Sequence, residues 1–185
     1  MKKLASAFAL SILLAACSSA PPPKVASDFG APSKINLDVK TVSLTDRSNA
    51  TDGVHMQPSV ADAIKQWSTD HLQAAGSAGE AIVVIKDASV VQQAIPHEGQ
   101  WFTREQTSKY NAHVEVELQI KGQGDSYAIA SAQASRYETL PENATEAEKQ
   151  NAYMTVLNGL VRDLGQNLNG SIHEHLQHFV MDSSR

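Results

Sequence analysis

Apolar and polar residues alternate most regularly between residues 110 and 122, in the segment YNAHVEVELQIKG. This period of two predicts a strand with one buried and one wet face, as in an antiparallel sheet covered on one side. The apolar face would carry Tyr110, Ala112, Val114, Val116, Leu118 and Ile120. The segment GQGD at 122–125 predicts a tight hairpin turn into a strand over 127–139. A row of alanines on that strand would let a helix approach closely (Ala128, Ala130, Ala132 and Ala134).

Two further strands are predicted before this hairpin. Ile35, Leu37 and Val39 alternate with polar residues, and this strand would run to Leu44. Its alternation changes phase near residues 41–42, which is consistent with a β-bulge. The segment 80–95 is rich in β-branched residues and predicts a longer strand, followed by a loop over 96–109.

A first amphipathic helix is predicted after Ser59, which is a candidate N-cap. Its apolar stripe would consist of Val60, Ile64, Trp67, His71 and Ala75. Gly76 and Gly79 would mark its end. Trp67 lies on the stripe, so we expect it in the core rather than in a binding site.

A second amphipathic helix is predicted from 146 to about 180, opened by a capping box of Thr145 and Glu148. Its apolar stripe comprises Met154, Leu157, Val161, Leu164, Leu168, Ile172, His175 and Phe179. A helix of this length is long for so small a domain. We therefore expect Gly159, Gly165 and Gly170 to bend or break it.

The predicted order of elements is strand, helix, strand, strand, strand, helix. The simplest arrangement that buries the apolar faces of these elements is an α+β two-layer sandwich. It would contain about four mostly antiparallel strands, with both helices on one face of the sheet.

The amino terminus has the three parts of a secretory signal. Lys2 and Lys3 precede an apolar run over 4–14, and Ala15 and Ala16 lead to Cys17, the only cysteine of the chain. The apolar run is far shorter than the roughly 20 residues of a spanning helix. With a single cysteine, no disulfide can form within one chain.

The four residues LAAC at 14–17 resemble the lipobox of bacterial lipoproteins. The resemblance implies cleavage before Cys17, lipidation of its sulfur and acylation of its new amino group. Several acyl chains on one residue make a lasting anchor, whereas one chain binds only marginally. In this family an Asp after the cysteine favours the inner membrane, so Ser18 favours the outer membrane. The alternative is an ordinary signal peptide in which the cysteine occurs by chance.

These features divide the chain into a signal peptide (1–16), a lipidated Pro/Ser-rich tether (17–34) and one domain (35–185). Removal of the signal, with its two lysines, would change the net charge from −5 to −7. An acidic protein is a poor ligand for nucleic acid, because phosphate binding needs a basic surface.

The order of elements, the lipobox and the tether together resemble two kinds of small envelope lipoprotein. One kind pairs with the outer-membrane translocon for lipopolysaccharide, and the other is the auxiliary lipoprotein of ABC-type lipid-transport systems. The segments WSTDHLQAAGSAGEAIVVIKDASV and SRYETLPENATEAEK are closer to uncharacterised lipoproteins of similar size. The resemblance carries over no functional residue except Cys17.

The remaining motifs give no catalytic or metal site. HEHLQH at 173–178 departs from the zinc-binding pattern His-Glu-x-x-His, because Gln177 stands where the second histidine is needed. His175 and His178 could reach a common ion, but histidines also suit the dipole at a helix C-terminus. Glu115 and Glu117 are typical of a solvated strand face. We therefore predict no catalytic residue, no metal ligand and no cofactor.

The predicted loop contains adjacent aromatic residues in a polar segment, GQWFTREQ. Trp101, Phe102 and Arg104 are residue types enriched at interface hot spots, so they are candidate partner-binding residues. Alternatively, the loop folds back over the helix-free face or one end of the sheet.

The sequence predicts a non-catalytic lipoprotein on the periplasmic face of the outer membrane, anchored through Cys17. It would bind another envelope protein in an assembly or lipid-transport complex. One alternative is a lipid- or glycolipid-binding module with a cleft between helices and sheet. A metal-dependent enzyme is the least favoured alternative.

Overall fold

The computed structural model describes residues 34–49, 53–54, 56–96, 106–124 and 126–181. This part of the chain has the predicted α+β fold, and no helix in it has the length and hydropathy of a membrane span. The strands are β1 (Ile35–Leu37), β2 (Thr41–Asp46), β3 (Leu72–Ala74), β4 (Glu80–Ala94), β5 (Gln106–Lys121) and β6 (Tyr127–Pro141). The helices are α1 (Val60–His71) and α2 (Glu146–His175), and a 3₁₀ helix follows (Gln177–Phe179).

The main sheet has four strands in the order β2-β4-β5-β6. The two long pairings of β5, with β4 and with β6, are antiparallel, and the pairing of β2 with β4 is parallel. The alternation in β5 is confirmed, because its residues from Tyr110 to Ile120 are buried at every second position. The predicted hairpin is also present, and the Gly122 N–H donates to the Ser126 carbonyl at 2.9 Å.

The prediction of one strand from Ile35 to Leu44 is wrong. The chain turns at residues 38–40, so that β1 pairs in parallel with β3 and β2 pairs with β4. The change of phase near residue 41 therefore marks a passage between two sheets rather than a bulge.

Helix α1 begins as predicted and ends earlier. The Ser59 hydroxyl accepts the Asp62 N–H at 3.1 Å. The helix stops at His71, and the next three residues form β3 instead of a last helical turn. Gly76 does not cap the helix. It packs against the turn between β1 and β2, where a Cβ would lie only 2.7 Å from the Val39 amide nitrogen.

Helix α2 has the predicted capping box. The Thr145 N–H donates to Glu148 at 2.8 Å, and the Glu148 N–H donates to the Thr145 hydroxyl at 3.2 Å. The glycines do not break this helix, because α2 runs without interruption over 30 residues. Gly165 instead allows close packing, since a Cβ there would lie 2.9 Å from Nε1 of Trp67. The helix ends at His175, short of residue 180.

Both helices cover one face of the sheet, as predicted. The alanine row of β6 lies under α2, with Ala130, Ala132 and Ala134 buried. Trp67 is 2% exposed, which confirms it as a core residue. Tyr110 of β5 meets Tyr153 of α2 edge to face, with ring centroids 6.3 Å apart. Within the described part of the chain, no helix covers the opposite face of the sheet, which we call the open face.

Candidate docking surface

The predicted lipidation site and the predicted partner-binding residues lie outside the described part of the chain. This holds for Cys17 and for Trp101, Phe102 and Arg104. The strands on either side of the predicted loop are described. β4 ends at Ala94 and β5 begins at Gln106, and the Ile95 N–H donates to the Thr107 carbonyl at 2.8 Å. Residues 97–105 therefore connect β4 to β5 at one end of the sheet, which we call the loop end.

Exposed apolar and aromatic side chains lie on the open face near the loop end. Val91, Asn111 and Tyr137 are direct neighbours across β4, β5 and β6. Val91 is 46% exposed and Tyr137 is 66% exposed. The Lys109 ammonium lies 5.4 Å from the centre of the Tyr137 ring, a cation–π distance. We call Val91, Lys109, Asn111 and Tyr137 the loop-end patch.

The patch continues into a shallow depression of about 260 Å³ on the open face. Its next row across the sheet contains Ser89, His113 and Ser135. His113 Nδ1 and the Ser135 hydroxyl oxygen are 2.8 Å apart. Because β5 is paired on both sides, its backbone amides beside this pair belong to the sheet ladders. They are therefore not free to stabilise an oxyanion, which acyl transfer would require.

A compact ionic cluster lies further along the open face. Lys86 stands where the β4–β5 register shifts, and its ammonium lies 3.0 Å from Glu115 and 2.8 Å from Glu117. Hydrogen bonding from Lys86 holds the pKa of Glu117 below its ordinary value. The same hydrogen bond to Glu117 contributes most to raising the pKa of Lys86, and the hydrogen bond to Glu115 contributes the next largest part. The predicted pair of solvated carboxylates thus shares one lysine, which offsets one of the two negative charges and which the sequence pattern did not reveal.

The histidines near the carboxyl terminus are spread over two elements. His173 and His175 lie in the last turn of α2, and His178 lies in the 3₁₀ helix. His175 is half exposed, and its Nε2 is 3.8 Å from the Glu174 carboxylate. Across the described residues, no three potential metal ligands come together.

The depressions between β6 and α2 are polar. Two of them share Gln133 and Asn167, and they measure about 500 and 470 Å³. Asp163, which lines the larger depression, accepts a bidentate bond from Arg136, with Nη2 to Oδ1 at 2.9 Å. Amide and carboxylate linings do not match the acyl chains that the lipid-binding alternative requires.

The residues of the loop-end patch were missed as functional candidates. A signal for Tyr137 existed, because it belongs to the β6 positions that alternate with the buried alanines. Val91 had no such signal. Alternate residues counted from the buried Val83 would place Val91 on the buried face of β4. The register shift beside Lys86 reverses the faces of the residues that follow, and Val91 is therefore exposed.

No protein-family model and no curated protein matches the chain. Among solved structures, the minor lipoprotein of Acinetobacter baumannii is 13% identical, with a TM-score of 0.40 over 79% of this chain and 98% of its own. Rare lipoprotein B of Shewanella oneidensis is 9% identical, with a TM-score of 0.41 over 72% and 94%. A Xanthomonas campestris protein of the DUF330 family is 12% identical, with a TM-score of 0.36 over 77% and 90%. Similarities at this level assign neither a family nor a function to the chain.

Proposed function

We propose that this protein is a non-catalytic lipoprotein of the cell envelope, anchored through Cys17 to the periplasmic face of the outer membrane. It binds another envelope protein that belongs to an assembly or lipid-transport complex. The lipobox at 14–17, the Pro-rich tether at 17–34 and Ser18 support the anchoring and the location. A domain on a tether of this kind needs only a binding surface in order to act.

The loop-end patch is the observation that carries the binding function. The open face exposes Val91 and Tyr137 on either side of Asn111, with the Lys109 ammonium over the tyrosine ring. Tyrosine and other aromatic residues are enriched in protein interfaces, where an apolar body and a polar tip are both useful. The patch lies at the loop end of the sheet, and the candidate partner-binding residues Trp101, Phe102 and Arg104 belong to the segment that joins β4 to β5.

Metabolic labelling with palmitate tests the anchor. We expect the wild-type protein to incorporate label and Cys17→Ala to incorporate none. Membrane fractionation tests the location, with Ser18→Asp moving the protein to the inner membrane and Ser19→Asp as the matched control. Equal labelling of wild type and Cys17→Ala would refute the anchor.

Site-specific photo-crosslinking in cells tests the docking surface. A crosslinker at Tyr137 should capture one defined envelope protein, and a crosslinker at the exposed α2 residue Arg162 should not. Val91→Ser should weaken the capture about tenfold if the pair of side chains forms the centre of the interface. Equal capture from Tyr137 and Arg162 would contradict a docking role for the patch.

A further inference from the structure

The main sheet has two edge strands, and α2 protects one of them. The backbone N–H of Ser131 on β6 donates to the Ser171 hydroxyl at 3.1 Å. The Asn167 side chain donates to the backbone carbonyl of Gln133 at 2.8 Å. Two side chains of α2 therefore bond to outward-facing groups of β6. Such protection is expected, because an open strand edge is a template for pairing with another chain.

The other edge strand, β2, has no comparable protection among the described residues. It pairs only with β4, and the Arg47 N–H that follows it donates to the Ile85 carbonyl at 2.9 Å. Because alternate residues of a strand direct their backbone groups to opposite sides, Val42, Leu44 and Asp46 direct theirs away from β4. β2 also lacks a proline or a bulge, which are devices that close an edge.

A crevice of about 230 Å³ runs alongside this edge, between β2 and α1. Its walls include the apolar side chains of Val42, Leu44, Leu72 and Val83. Val42 and Leu44 point toward α1 but stay only partly buried, because nothing described covers them from the outer side. The crevice therefore has room for one more apolar side chain at the level of the sheet.

Two polar groups of α1 lie at the same crevice. Ser68 is 5% exposed, and its hydroxyl has no hydrogen-bond partner within the described part of the chain. Lys65 stands at the rim with 60% of its side chain exposed, and its ammonium is 4.0 Å from Asp62. That separation is long for an ion pair, so the Lys65 charge is available to an acidic group outside.

We propose that the groove between β2 and α1 binds an extended segment of a partner protein by strand addition. The segment pairs with the outward N–H and C=O groups of Val42, Leu44 and Asp46, and it places one apolar side chain in the crevice. An acidic side chain two residues away, on the same face of the added strand, meets Lys65. Main-chain bonds supply affinity in this mode, and the side-chain pocket supplies specificity. This surface is separate from the loop-end patch and does not depend on the anchor.

Selection of displayed random decapeptides on the full-length protein in detergent micelles tests the proposal. The selected peptides should share an apolar and an acidic residue that are separated by one position. Leu44→Asp should weaken their binding about tenfold or more, because it puts a charge into the apolar wall. Tyr137→Ser, on the loop-end patch, is the matched control and should leave binding unchanged. Circular dichroism would establish that both variants fold.

N-methylation of a selected peptide gives a second readout that needs no protein variant. Only alternate amides of an added strand face β2, so methylation at alternate positions should weaken binding about tenfold. Methylation at the positions between should change it little. Absence of any selected peptide, binding unaffected by Leu44→Asp, or equal effects of methylation at every position would each overturn the proposal. A dimer lost in Leu44→Asp would also overturn it, by showing that a second copy is the occupant.

Discussion

The contact between Gly165 of α2 and Trp67 of α1 leads to a prediction with opposite signs for two similar substitutions. Glycine in a helix interior is less favourable than alanine by about 0.5–1 kcal/mol. Gly170 has no atom within 4 Å of the position that a Cβ would take. Gly170→Ala should therefore raise the free energy of unfolding by about that amount.

Gly165→Ala brings the same backbone gain but introduces a clash. The new Cβ would lie 2.9, 3.1 and 3.2 Å from three atoms of the Trp67 ring. The ring has no room to retreat, because Trp67 is 2% exposed and stacks on His71 with centroids 5.0 Å apart. Overpacking of this kind costs about 1–3 kcal/mol. We therefore expect Gly165→Ala to be about 1–3 kcal/mol less stable than Gly170→Ala.

Urea denaturation followed by circular dichroism measures both free energies. In thermal unfolding, each kcal/mol should appear as a shift of about 2–4 °C for a protein of this size. A Trp67→Phe background offers a further check, because the smaller ring should reduce the penalty of Gly165→Ala. Equal stability of the two alanine variants, or a penalty unchanged in the Trp67→Phe background, would refute the packing argument.

Three further predictions follow from single contacts. Thr145→Ala removes the helix cap and should lower the free energy of unfolding by about 1 kcal/mol in urea denaturation; no loss would contradict the capping box. The depressed pKa of Glu117 stabilises the fold above its unfolded pKa of about 4.3, and this stability is lost as the pH falls through the folded pKa. In Lys86→Met, an NMR titration should show the pKa of Glu117 rising toward its ordinary value, and an unchanged pKa would exclude Lys86 as the cause. Asn167→Leu exposes the edge of β6 at Gln133 and should cause concentration-dependent association in analytical ultracentrifugation; a monomer at all concentrations would argue against edge protection.

The elements with long, regular patterns were predictable from the sequence. Strand β5 alternates without interruption because one face packs under the helices and the other meets solvent, so periodicity reports its burial directly. The caps of both helices were also predictable, because Ser59 and Thr145 act on backbone groups only three residues away. A short sequence pattern is therefore enough to predict contacts between residues that are close in the chain.

The features that the sequence did not predict depend on contacts between segments that are distant in the chain. The sequence identifies Gly165 as a residue without a side chain, but it does not show that Trp67 fills the space that results. The register shift near Lys86 depends on how β4 pairs with β5, so the partners of that lysine and the exposure of Val91 became visible only in three dimensions.

The first described strand also determines how the fold would bear a mechanical load. β1 is held from two sides, by β3 through a parallel ladder and by the carboxyl-terminal segment through hydrogen bonds at 2.8 Å from Asp38 N to Phe179 O and from Met181 N to Asn36 O. A pull along the axis of β1 loads these bonds together in shear, so that they resist it jointly rather than opening one after another. The carboxyl-terminal segment therefore holds β1 in place. A truncated chain that ends before Phe179 should release β1 at a lower force.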